Sequence, residues 1–572
     1  MRFLFVLGSF LILASCINTP EQIKDNSSQD LMNSNQIDLT AAYKHRTLNN
    51  PSAFIPSQCY TKTINSKGNV HNPCYTCHTN SQRPNYIDDV DLQLGYDFAE
   101  DARTNPWNNL FKDRSDKVAS ITNEQIEEYI QQSNYFDDSG NIILQSRIKN
   151  IPKTWDFNGN GQWDGFVPDL WYNFDEEGFD HDHSGQYSGW RSFAYYPFPG
   201  TFWPANGSTD DVIIRLPESM RQDSKGQFNL DIYKVNLAIV EAMLREESIA
   251  IDPVDESRLG SIDIDKDGTI GIANQVTYDW APREKRFMWY VGKANQLQKN
   301  NQIHLAAGLY PEGTEFIHTV RYIDFDDNDE VTLSNRIKEL RYARKYAGLN
   351  YSRLRDLADG EFKEKHDFPN RLKVVQGNHE VGVSNGQGWI YSAFIEDTKG
   401  ELRPQTYEEL VFCAGCHGGI GANRDGIFSF HRRLGKDEFQ QGWYHWSQKS
   451  IKGLEDPYRK DGHREYTLYL QTNKAGDEFR ANIEIMSRFF NSSGELENEM
   501  LASMQQDISQ LLWPSMERAM ELNKAYKVIV DEQSFIYGRD ATIAPPENVH
   551  RKIKESQETG VTEPVLISRI VQ

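Results

Sequence analysis

Cys74-Tyr75-Thr76-Cys77-His78 and Cys413-Ala414-Gly415-Cys416-His417 both spell Cys-x-x-Cys-His, and the rest of the chain is read around them. Two thiols at this spacing lie on one side of a helical turn, where both can add to the vinyl groups of one porphyrin. The histidine that follows then stands under the iron as its proximal ligand. A redox-active cysteine pair requires only the two thiols, and zinc requires four ligands gathered around one ion. Neither accounts for a histidine directly after both copies. The pattern predicts two covalently bound haem c groups, attached at Cys74, Cys77, Cys413 and Cys416, with His78 and His417 on the irons.

Two cysteines remain. Arg2 precedes an apolar run over residues 3–13 that is too short to be a permanent membrane span. Its end, Leu13-Ala14-Ser15-Cys16, resembles the lipobox of bacterial lipoproteins, which implies lipidation at Cys16. Ile17 rather than Asp after the cysteine points to an outer-membrane anchor, periplasm-facing or surface-exposed. Haem c is assembled outside the cytoplasm, so a cell-envelope location follows from both signals. Cys59 is read as a buried thiol packed as a small hydrophobe.

A six-coordinate iron needs a distal ligand, whereas a catalytic one leaves that position open. His431 in Phe-His-Arg-Arg, His445 in Trp-Tyr-His-Trp, His379 in Gly-Asn-His-Glu and His318 in Ile-His-Thr-Val are the distal candidates. Met500, Met504, Met516 and Met520 share their spacing with Leu501, Ile508 and Leu512, which suits a buried apolar face better than iron ligation.

Between the motifs lie acidic turns. Asp263, Asp265, Asp267, Gly268 and Thr269 follow the opening of an EF-hand calcium loop, and Asp156, Asn158, Asn160 and Gly161 repeat it. Both lack the glutamate expected at the twelfth position, where Asn274 and Val167 stand, so a calcium ion would take its last ligand from elsewhere. The segments from Asp180 and Asp324 read as plain turns.

The 572 residues carry 83 acidic against 61 basic side chains, a formal charge of −22. That excess opposes binding to nucleic acid and favours a redox partner with a basic face. The organisation read from the sequence is a signal peptide at 1–16, a flexible tether at 17–45 and a first haem segment at 46–150. A central region with the acidic loops follows at 151–400, then a second haem segment at 401–470 and a helical region at 471–572. Val212-Ile-Ile-Arg-Leu216 predicts a strand, residues 231–246 a helix, and 334–347 a second helix bearing Arg336, Lys338, Arg341, Arg344 and Lys345.

On its two pentapeptides and lipobox the chain resembles a di-haem c-type cytochrome of the lipoprotein kind and, more loosely, di-haem cytochrome c peroxidase-like proteins and di-haem oxygenases. The resemblance implies an α+β, loop-rich fold with cytochrome c-like helical haem segments around a calcium-braced centre and a helical C-terminus. It implies electron transfer in the envelope with two haem c groups and Ca2+. The alternative is a peroxidase- or oxygenase-like enzyme with one open iron, in which Trp443 or Trp446 carries oxidising equivalents.

Overall fold

The computed structural model describes residues 48–571 apart from 65–66, 85, 88–89, 201–202, 420–422, 429, 436, 475–481 and 566–569. The signal segment, Cys16 and the tether lie outside the described residues. A ten-stranded antiparallel sheet forms the frame. Its strands are β1 (Phe179–His181), β2 (Tyr187–Ser192), β3 (Thr209–Asp210), β4 (Ile213–Arg215) and β5 (Glu315–Phe325). They continue with β6 (Val331–Lys345), β7 (Gln376–Asn378), β8 (Gly382–Ser384), β9 (Trp389–Glu396) and β10 (Leu402–Pro404). The order across the sheet is β7-β8-β9-β6-β5-β4-β2-β1, with β3 beside β5 and β10 beside β9.

Strand β5 reads Phe-Ile-His-Thr-Val-Arg-Tyr-Ile, rich in the β-branched and aromatic residues that fit a pleated, half-buried surface. Residues directly opposite in neighbouring strands share a face. In β5, β6 and β9, one face carries the rows Phe316–Ala343–Tyr391, His318–Arg341–Ala393 and Val320–Glu339–Ile395. The other face carries Ile317, Leu340 and Phe394 and buries them with Trp190 and Trp155.

Helices cover the first face. Helix α1 (Cys74–Cys77) is a single turn, α2 (Leu230–Arg245) is almost wholly buried, and α3 (Tyr351–Asp367) is mostly exposed. Helix α4 (Tyr407–Cys416) and α5 (Met516–Glu532) complete the set used below. The α2 start is capped by the Asn229 side chain, which accepts from Ile232 N at 3.0 Å. Phe316, Ala343, Tyr391 and Ala393 of the first face pack in one cluster with Leu410, Val411 and Cys413 of α4. The observed architecture is therefore mixed α+β. The two haem segments, the central region and the C-terminal region read from sequence share one compact unit. Lys62 N donates to Asn548 O at 2.6 Å and Ile553 N to Arg103 O at 2.8 Å, so the C-terminal stretch lies along the first motif's segment.

The helix expected over 334–347 is instead β6. Its lysines, arginines and leucine favour a helix locally, but strands on both sides override that weak preference. Of its five basic residues, Arg344 alone is exposed. Lys338 lies over the Tyr322 and Tyr526 rings and donates to Gly207 O at 2.6 Å. Arg336 reaches Glu396, and Arg341 pairs with Glu339 at 3.0 Å. The methionine pairs fall on different helices, with Met504 and Met520 buried in separate apolar clusters.

Glu396 is fully buried and accepts from Tyr322 at 2.6 Å and Tyr129 at 2.7 Å. Burial pushes its carboxyl up to about 7 from an ordinary 4.5, against the hydrogen bonds and Arg336. A folded-state value above the unfolded one contributes stability below pH 4.5 that is lost as pH rises towards 7. Glu396→Gln should therefore gain stability relative to wild type across that window, by up to about 3 kcal/mol. Parallel pH–stability curves for the two proteins in denaturant titrations would contradict this.

Candidate functional site

The second pentapeptide ends α4. Thr406 and Glu409 cap its start reciprocally, and His417 N closes its end on Cys413 O at 3.0 Å. At position 415 a Cβ would stand 1.8 Å from Phe54 O, so only glycine lets the segment of the first motif approach this turn. The His417 Nδ1 lies 2.7 Å from Gly426 O. A carbonyl only accepts, so Nδ1 carries the hydrogen and Nε2 is left as the ring's lone-pair atom. The ring stacks on Tyr391 at 4.8 Å, and the Tyr391 hydroxyl donates to the same Gly426 carbonyl at 2.9 Å. Burial, aided by Arg341, pushes His417 down to about 4 despite the Gly426 bond, which keeps the imidazole neutral and able to bind a metal.

The carbonyl that aims His417 sits in a tight turn, Arg424-Asp425-Gly426-Ile427. Asp425 and Gly426 both have positive φ, 53° and 78°, and a Cβ on Gly426 would meet Asn385 Nδ2 at 2.7 Å. Asp425 is held by Tyr310 N at 2.9 Å and by a fully buried ion pair with Lys345 of β6 at 2.5 Å. The Asp-Gly dipeptide was a visible turn signal; its lysine partner in β6 was not.

The first pentapeptide forms α1, and His78 N bonds Cys74 O at 2.7 Å. Cys74 Sγ donates to Asn72 Oδ1 at 2.5 Å, and Tyr75 packs with Tyr196, Tyr444 and Tyr466. Cys59 lies close enough to Tyr96 to act on it, as does Cys74. The two motifs meet: burial, and then the nearby Cys77, push the Cys416 thiol up to about 12. Arg341 acts on Cys413, Cys416 and His417 alike. A cleft opens beside Arg341 and Phe412, bounded also by Trp107, Trp203, Glu339 and Arg539. Among the described residues, Glu256, Asp263 and Asp265 are the one group of three or more potential ligands within 4.8 Å of each other. The thiols therefore do not gather as a four-sulfur zinc site does. Paired cysteines on a turn, a neutral oriented imidazole and a neighbouring cleft fit covalent haem.

The distal candidates separate. His445 uses both ring nitrogens, 2.8 Å from Ser447 Oγ and 3.2 Å from Asp211 Oδ2, and stacks on Phe174. His379 places Nε2 3.1 Å from Trp155 O, beside the Asp156 loop. The His431 Nε2 is buried with no hydrogen-bond partner among the described residues, and burial with Arg245 pushes that ring down to about 3. His318 places Nδ1 2.9 Å from Asp211 O, and burial with Arg341 pushes it down to about 4.

The two better calcium candidates share a design that the sequence did not reveal. Asp156 Oδ2 accepts from Gly161 N at 2.8 Å, and Asp263 Oδ2 from Gly268 N at 3.1 Å. A buried glutamate from outside the loop then clasps each one at its second and ninth positions. Glu380 accepts from Phe157 N and Asp164 N, and Glu256 from Ile264 N and Gly271 N. Asn158, Asn160 and Asp164 converge in the first loop; Asp267 and Thr269 bond each other in the second. The Asp180 and Asp324 segments contain ordinary hairpin turns, in which Asp182 and Asp326 each accept from the amides two and four residues on. Asp137, Asp175, Asp223 and Asp397 do the same. Six of the acidic side chains thus form turns.

The model of a lipoprotein family matches residues 43–509. An uncharacterized lipoprotein of Aquifex aeolicus (strain VF5) is 33% identical over 567 residues, covering 90% of this chain and 91% of its own length. The chain belongs to this lipoprotein family. No solved structure matches it. The expected membership among di-haem c-type cytochromes and their peroxidase-like relatives is thereby overturned: the matching family spans most of the chain and is a lipoprotein family. Five-residue motifs carry local chemistry and do not fix a family. As a lipoprotein the chain is a lipid-anchored envelope protein, and among the described residues no helix is long and apolar enough to cross a membrane.

Asp425→Asn tolerates the same backbone conformation but strands the buried Lys345 charge, and should cost about 3–5 kcal/mol in urea unfolding. Adding Lys345→Met should recover part of the loss. A single variant within about 0.5 kcal/mol of wild type would show that the pair does not anchor the turn.

Proposed function

We propose that this lipoprotein carries one thioether-linked haem at each pentapeptide and relays electrons between partners in the envelope, from an outer-membrane anchor. The observation that carries the reading is the His417 imidazole, neutral and tied through Nδ1 to Gly426 O, directly after a cysteine pair. Haem supplies one-electron redox chemistry when bound. Cys74, Cys77, Cys413 and Cys416 would hold it, His78 and His417 would supply imidazoles for its iron, and the half-buried Arg341 and nearby Arg539 offset carboxylate charge beside Cys413. The mutual influence of Cys77 and Cys416 supports two haems within one body rather than in separate lobes.

The relay is favoured over an enzyme with one open iron by the surroundings of Trp443. Arg191 and Arg433 lie 3.8 and 4.8 Å from its ring. Two guanidinium groups at that distance oppose a positive charge on the indole, which an oxidised tryptophan would carry. Calcium at the Asp263 loop, with Glu256 as the outside ligand, and at the Asp156 loop, beside Glu380, would brace the region between the motifs.

Optical spectra of protein purified from membranes should show a haem chromophore that reduces and reoxidises reversibly. Electron exchange with a basic redox protein should slow as salt rises, and peroxide should not turn over. Absence of the chromophore, or rapid peroxide reduction, would overturn the reading.

If the clasped loops hold calcium, a chelator should lower the melting temperature and added calcium should restore it. An unchanged melting curve would remove calcium from the account.

A further inference from the structure

We infer that His318 is the distal ligand of the haem at 413–417, an inference that rests on the haem reading above. Four groups of the second motif region share one neighbour. Arg341 acts electrostatically on Cys413, Cys416 and His417, and it is the direct cross-strand partner of His318. His318 and His417 are also close enough to influence each other.

The register explains why. His318 shares its sheet face with Arg341 and Ala393, and the next row on that face ends in Tyr391, the ring on which His417 stacks. Helix α4, with both cysteines, packs over this same face. A planar group attached at Cys413 and Cys416 would therefore have His417 on the helix side and His318 on the sheet side. Thr319, the next residue along the strand, lies on the other face, and its hydroxyl donates to Asp211 Oδ2.

The ring of His318 is also prepared for a metal. Its Nδ1 is tied to Asp211 O at 2.9 Å, as that of His417 is tied to Gly426 O, so Nε2 is the ring's metal-binding atom. Asp210 Oδ2 lies 3.5 Å from the same Nδ1. The carboxyls of Asp210 and Asp211 are themselves fixed by Tyr195 and by Thr319 and His445. Hydrogen-bonded partners of this kind fix the orientation of a metal-binding imidazole. His445 is excluded because each of its nitrogens already serves this network, and His379 because it lies at the Asp156 loop.

The test uses full-length Cys74→Ser/Cys77→Ser protein, which keeps only the second attachment site. Intact mass first shows whether one haem is bound; a protein without it refutes the haem reading itself, and this inference with it. With one haem bound, the spectrum should be low-spin and the reduced protein should not bind CO. His318→Ala in that background should retain the haem by mass, become high-spin and bind about one CO per chain. His318→Met, closer in volume, should stay low-spin with a raised midpoint potential. A high-spin, CO-binding iron before His318 is changed would overturn the assignment. So would a low-spin spectrum in His318→Ala, or an unchanged midpoint potential in His318→Met.

Discussion

The hydrogen bond from His417 Nδ1 to the Gly426 carbonyl is the constraint on which the rest of the site depends. It selects the tautomer, fixes the plane of the ring against Tyr391 and leaves Nε2 as the atom that can meet iron. The carbonyl is where it is because Asp425 and Gly426 adopt left-handed conformations, and Asp425 keeps that conformation through a buried ion pair with Lys345. An unpaired charge in that position would be costly, so the sheet and the motif are coupled through one lysine. The imidazole is positioned by the fold and not by its pentapeptide alone.

The sheet performs the larger organisation. It receives α4 on the face that carries His318, Arg341 and Tyr391, while the segment around Phe54 and the C-terminal stretch bring the first motif alongside. Two pentapeptides far apart in the chain therefore occupy one body. The family-level resemblance fails on the whole chain, and the thioether chemistry is proposed from the two motifs alone. A thioether motif requires only a turn and an imidazole, whereas family membership follows the whole chain, which matches lipoproteins.

What was legible in the sequence was local. The α2 helix showed itself through Ile232, Val235, Ile239 and Met243 at helical spacing, and β4 through its branched run at Ile213 and Ile214. The pentapeptides and the Asx-Gly turns were equally plain. What could not be read was non-local. β6 has helix-forming composition and becomes a strand because β5 and β9 flank it. Glu256 and Glu380 close the acidic loops from outside the loops' own sequences, and no periodicity announces them. His318 is set apart by the sheet face it occupies and by the Asp211 carbonyl that its Nδ1 touches, both products of register.

The most direct measurement is mass spectrometry of proteolytic fragments from the natively matured lipoprotein after acid–acetone extraction. The account predicts that the peptides containing Cys74–Cys77 and Cys413–Cys416 each retain one porphyrin mass increment. Both peptides emerging with unmodified thiols, and all pigment in the solvent, would contradict it.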